Sequence, residues 1–122
     1  YMQIKEQIMG LDMYISSKEG SEIAYWRKEP AIHDWFEGLA INKGIEFDDF
    51  NCIPVPVTKL ELEMLIDDLK KKRLSYDASG FFWGSNLEDA NSDEWHNEQI
   101  ETIENIISIM EDDEEVIYDS WW

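Results

Sequence analysis

Four glutamates, Glu94, Glu98, Glu101 and Glu104, recur at spacings of 4, 3 and 3, the repeat that brings side chains onto one face of a helix. Carboxylates placed this way cannot neutralise one another, and such pairs destabilise a helix by about 0.2–0.5 kcal/mol each. Five more acids, Glu111, Asp112, Asp113, Glu114 and Glu115, follow where the helix dipole is itself negative. The chemistry of this arrangement is that of a polyanion that attracts cationic groups. The chain as a whole carries 28 acids and 10 bases, a net charge of −18. Residues 1–73 hold 14 acids and 10 bases, net −4, whereas residues 74–122 hold 14 acids and no Lys or Arg, net −14. A net charge of roughly 2 to 8 is enough to keep a small domain in solution, so solvation alone is a weak reason for this excess.

A second set of residues suggests a different chemistry. Tyr25, Trp26 and Arg27 lie close in sequence to His33 and Trp35. Aromatic rings beside Arg and His can stack on a base and hold a phosphate, so a nucleotide-sequestering pocket is the rival reading. The plainer one makes Trp35 and Phe36 core residues and gives Arg27 an acidic partner. Catalytic groupings are poorly supported, and no catalytic residue is assigned. His33 and Asp34 are helix neighbours that do not face each other. Cys52 lies near Asp48 and Asp49, whose charge disfavours a thiolate. No phosphate-binding glycine loop occurs. One Cys and two His do not make a structural zinc site, and the acids at 111–115 lack the spaced oxygens and glycine of a calcium loop. No metal or cofactor is expected.

These groups need a scaffold. Six Trp, five Tyr and five Phe in 122 residues are far more than an acidic disordered tail contains. Leu11, Met13 and Ile15 alternate with polar residues as in a half-buried strand. Lys18-Glu19-Gly20-Ser21 reads as a turn into a second strand, Ile23-Ala24-Tyr25-Trp26. Pro30 suits the first turn of a helix whose apolar face is Ile32, Trp35, Phe36 and Leu39, with Gly44 as its stop. Pro54 and Pro56 confine their segment to a sheet edge or an extended loop. Thr58-Lys59-Leu60-Glu61 is a capping box before the stripe Leu62, Leu65, Ile66 and Leu69. Lys70-Lys71-Lys72-Arg73 reads as the cationic end of that helix rather than as a nucleic-acid patch. Ser79-Gly80-Phe81-Phe82-Trp83-Gly84-Ser85 is expected to form a short buried strand. Asn91 or Ser92 should cap the glutamate-bearing helix, with Ile100, Ile103, Ile107 and Met110 buried and Ile106 beside them. Val116, Tyr118 and Ser120 mark a last strand, and Trp121-Trp122 should pack. The expectation is an α+β domain, about three helices packed on a small, mainly antiparallel sheet. Residues 1–8 read as a leader or tag-like extension before a single domain at 9–122.

Several segments taken together resemble a group of small bacteriophage- and prophage-encoded proteins. They are Met9-Gly10-Leu11-Asp12-Met13-Tyr14, Tyr25-Trp26-Arg27-Lys28, Ile32-His33-Asp34-Trp35-Phe36, Ser79-Gly80-Phe81-Phe82-Trp83-Gly84-Ser85 and Ser120-Trp121. The likeness runs from Met9 onward and implies a phage gene expressed in a bacterial cytoplasm. It implies no activity for any residue. With the charge, it leads to the expectation of a non-enzymatic inhibitor presenting a DNA-like carboxylate surface to a host defence or nucleic-acid-binding protein. The contact residues would be the nine acids named at the outset, with Trp95 as an aromatic anchor. No direct nucleic-acid contact and no membrane partner are expected. A third reading makes the acids a solvated surface around a homo-oligomer interface.

Overall fold

The computed structural model describes residues 10–79 and 84–122. The leader read at residues 1–8 and the Gly80-Phe81-Phe82-Trp83 centre of the strand expected at 79–85 lie outside the described residues. Among the described residues the fold is α+β, with three α-helices and a four-stranded antiparallel sheet. The strands are β1 (Asp12–Ser16), β2 (Glu22–Arg27), β3 (Val55–Thr58) and β4 (Glu115–Trp121). The helices are α1 (Pro30–Asn42), α2 (Lys59–Lys70) and α3 (Asp93–Ile109). The strand order is β2-β1-β4-β3.

Period-two alternation sets the two faces of the sheet. Met13 lies opposite Trp26 on one side and Ser120 on the other, and Ile15 opposite Ala24 and Tyr118. These residues face inward with Val55, Val57 and Val116. Tyr14, opposite Tyr25 and Asp119, faces outward. The β1–β2 hairpin forms as expected, closed by Ser17 N–H donating to Ser21 O at 2.8 Å. Gly20 there takes φ +94°, a conformation side chains rarely adopt. The proline-bearing segment becomes β3, an edge strand, where the missing N–H of Pro56 is tolerated.

Beyond β3 the loop before it continues the pairing with β4. Cys52 N–H donates to Ser120 O at 2.9 Å. The Asn51 side chain then does for Trp122 what a strand would do: Nδ2 donates to Trp122 O at 2.8 Å, and Oδ1 accepts from Trp122 N at 2.9 Å. The Trp122 indole donates to Phe50 O at 2.9 Å. Of the terminal pair, Trp122 therefore packs, while Trp121 is 54% exposed.

The helices contribute their apolar stripes to one core. Phe36 of α1 stacks on Tyr118 of β4 at 4.0 Å between ring centroids, and Ile32 and Leu39 flank it. Pro30 opens α1, and Gly44, at φ +79°, follows its end. In α2, Leu62, Leu65 and Leu69 are buried. The capping box is present: Glu61 N donates to Thr58 Oγ1 at 3.1 Å, and Thr58 N to Glu61 Oε1 at 2.9 Å. Lys43 Nζ reaches the same carboxylate at 2.9 Å. Burial alone would raise the Glu61 pKa, but the Thr58 amide and Lys43 outweigh it and hold it below the usual range. Thr58→Ala is expected to cost about 1 kcal/mol, read as a thermal midpoint lowered by about 4 °C. An unchanged midpoint would show that Lys43 alone organises this end.

Candidate functional site

Ser92 fixes the start of the acidic helix, its Oγ accepting from Trp95 N at 3.1 Å. Asp93 and Glu94 occupy the favourable first turn of α3. The helix is held down by Trp95, Gln99, Ile103, Ile106 and Met110, all buried. This seam is rotated from the expected one: Ile100 and Ile107 are only half-buried and lie on the flank toward α2. The opposite face carries Glu94, Glu98, Glu101 and Glu104, all exposed and in no ion pair among the described residues. At 1.5 Å per residue they span about 15 Å of axis. Glu104 leans toward α2, where it lines a groove with Glu63 and Ile107.

The acids at 111–115 are not equivalent. Glu111, Asp112, Asp113 and Glu114 are exposed in the turn between α3 and β4. Glu111 N donates to the Glu114 carboxylate at 3.2 Å, and Glu114 N to Glu111 O at 3.0 Å. Asp112 meets Lys59 Nζ at 3.4 Å. Glu115 belongs to β4, is half-buried and pairs with Lys18 at 3.1 Å. The candidate surface is therefore the α3 glutamates with the turn acids Glu111, Asp113 and Glu114. Asp112 and Glu115 are already partly neutralised.

Trp95 does not belong to this surface. It is buried, and its Nε1 donates to Glu29 Oε2 at 2.7 Å. One residue along a helix is a turn of about 100°, which carries Trp95 from the exposed ridge into the seam. Trp95 thus anchors α3 to the core and is not an exposed contact for a partner.

Three of the four residues of the basic quartet are absorbed by acids around the end of α2, while Lys70 forms no ion pair among the described residues. Arg73 bonds Asp67 at 2.8 Å and Asp68 at 2.7 Å, Lys71 pairs with Asp67 at 3.2 Å, and Lys72 with Asp93 at 2.7 Å. This agrees with its reading as a helix terminus.

The residues of the rival pocket are not brought together. Strand alternation sends Trp26 inward and its neighbours Tyr25 and Arg27 outward. Trp26 is buried, its Nε1 donating to Gln99 Oε1 at 2.9 Å. Tyr25, 47% exposed, donates to Asp12 Oδ1 at 2.6 Å, with Arg27 Nε 3.7 Å from the same oxygen. Partial burial and that bond raise the Tyr25 pKa to about 12. His33 lies in the core, its Nδ1 2.6 Å from Tyr118 OH. Burial pushes its pKa down to about 4, against a hydrogen bond to the Phe50 backbone. Burial also keeps Tyr118 protonated, its pKa well above 10. Trp35 Nε1 donates to Asp68 on α2 at 2.9 Å. The sheet separates Tyr25 and Arg27 from the buried Trp26 and His33, so the five residues line no common cavity.

One polar cluster is unforeseen in the sequence. Glu29 accepts from Trp95, from Gln99 Nε2 at 3.3 Å and from Asn86 Nδ2 at 3.4 Å. Asn86 Oδ1 in turn accepts from Ala31 N at 2.8 Å, satisfying an amide at the start of α1. Burial raises the Glu29 pKa despite the bonds from Trp95 and Asn86, which oppose it. The cluster ties β2, α1 and α3 together and contributes structure.

No group of His, Cys, Asp and Glu among the described residues is placed to hold a metal ion. No helix among them is long and apolar enough to cross a membrane. No protein-family model, curated protein or solved structure matches the chain.

Proposed function

We propose that this chain is a phage-encoded inhibitor that binds a host protein by presenting the carboxylates of α3 and the following turn to a basic, normally nucleic-acid-binding surface. The role is binding, not catalysis, and the setting is the bacterial cytoplasm. The observation that carries the reading is the placement of Glu94, Glu98, Glu101 and Glu104: exposed, without ion pairs among the described residues, and on a helix anchored by a buried seam. Like charges kept together against their own repulsion are stabilised when a cationic surface meets them. The dispersal of Tyr25, Trp26, Arg27, His33 and Trp35 removes the support for a nucleotide pocket.

Capture of the partner from a bacterial host lysate, followed by salt titration, tests this reading. Binding is expected to weaken steeply with added salt. Combining Glu98→Lys, Glu101→Lys and Glu104→Lys should abolish it while leaving the fold intact, because the sites are exposed and lysine is a good helix former. Undiminished capture by the triple variant would sink the reading.

A further inference from the structure

The α3 ridge carries one carboxylate per about 5 Å of axis, on the 1.5 Å helical rise. Duplex DNA carries one charge per about 1.7 Å. A partner that holds this protein in place of DNA must gain something besides charge. The groove beside the ridge offers it.

That groove lies between α2 and α3 and encloses about 540 Å³. Half-buried Ile66 and Ile107 form its apolar floor, and exposed Glu63, Asp67, Glu104 and Lys70 its rim. Asp67 is engaged by Lys71 and Arg73, whereas Glu63 and Glu104 form no ion pair among the described residues. On the α3 side the groove is lined by Glu104, Ile107 and Ser108.

We propose that this groove receives an aliphatic side chain from a cationic peptide segment of the bound partner, with Lys or Arg beside that side chain meeting Glu63, Glu104 and the ridge. The proposal rests on the charge reading above and adds a chemistry to the partner: leucine or methionine next to basic residues. Charge complementarity decides the occupant. A second copy of this chain would bring −18 and the same acidic rim against it, and a neutral apolar segment would leave Glu63 and Glu104 with Lys70 as their one rim cation among the groove's lining residues. Burial of one aliphatic side chain changes affinity by about tenfold or more, enough to separate it from charge alone.

Two synthetic peptides of equal length and charge serve as probes, one with leucines among its lysines and the other with those leucines replaced by serine. Their affinities for the whole chain are measured by calorimetry. The leucine peptide is expected to bind at least about tenfold tighter, in keeping with the burial of one side chain. Ile107→Gln should remove that advantage. Ile109→Gln should retain it, because Ile109, 62% exposed, lies on the other flank of α3 beside β2. Ser108→Arg obstructs the groove from an exposed position and should also remove the advantage, even if Ile107→Gln proves poorly folded. Equal binding of the two peptides overturns the groove, as does an advantage that survives both Ile107→Gln and Ser108→Arg. If the serine peptide binds and is released by the triple lysine variant, the charge reading stands whatever the groove does. If that variant binds both peptides as well as the parent chain does, the charge reading fails whatever the groove does.

Discussion

Replacement of Tyr118 by alanine is expected to lower unfolding stability by about 3–5 kcal/mol, in the range of buried aromatic truncations. Tyr118 is fully buried on β4, between β1 and β3. Its ring stacks on Phe36 at 4.0 Å and lies 6.0 Å from Phe50, so one side chain joins the sheet to α1 and to the loop before β3. Tyr118→Phe keeps the rings and removes the hydroxyl that lies 2.6 Å from His33 Nδ1. Loss of that buried hydrogen bond should cost about 1–3 kcal/mol. Chemical denaturation of the two variants separates packing from hydrogen bonding. An alanine variant within about 1 kcal/mol of the parent chain would mean that the stack does not organise this core, given total stabilities of about 5–15 kcal/mol for native domains.

The second large effect is the pH dependence that His33 contributes. In the folded chain its imidazole takes up a proton at about 4, against 6.5 for an unperturbed histidine, because burial disfavours the charged form. Between these values the unfolded chain binds more protons than the folded one. The contribution of His33 is therefore complete above about pH 6.5 and is lost as pH falls toward 4. At 1.36 kcal/mol per pKa unit this amounts to about 3 kcal/mol. Relief of the repulsion within a chain carrying −18 acts in the opposite sense, whereas Glu61, held below the usual carboxylate range, loses its contribution as pH falls, in the same sense as His33. Total stability is consequently a poor readout. The informative quantity is the difference between the parent chain and His33→Gln, measured by urea unfolding at several pH values. The parent should lose ground to the variant as pH falls through the window. A constant difference would place the histidine titration outside it.

Where the governing interaction is local, the sequence is a sufficient guide. Thr58 and Glu61 cap each other across three residues, and the helix starts where they say it should. Pro54 and Pro56 mark an edge strand because a proline cannot donate to a neighbouring strand. The alternation of Val116, Tyr118 and Ser120 survives intact because the strand has one buried face. The misplacements come from contacts distant in sequence, or from polar residues that behave as core. Asn86 reaches 55 residues back to the first turn of α1, and no local pattern announces it. Gln99 sits in the buried seam because Trp26 and Glu29 satisfy its amide. Once it is admitted to the seam, Trp95, Gln99, Ile103, Ile106 and Met110 follow at spacings of 4, 4, 3 and 4, and Trp95 belongs with them. The nucleotide pocket conflicted with the strand reading of its own segment, because neighbours such as Tyr25 and Trp26 must point to opposite sides of a sheet.

The Asn51 clamp bears on how the protein behaves when crowded. A sheet edge with unsatisfied amides and carbonyls is a template on which another molecule can add a strand, and such addition seeds aggregation. Past the end of β3, β4 would offer that template. Instead Cys52 takes the Ser120 carbonyl, and one side-chain amide takes both backbone groups of Trp122. An asparagine is too short to be extended by a further molecule, so at this corner the ladder ends without leaving a place for the next rung.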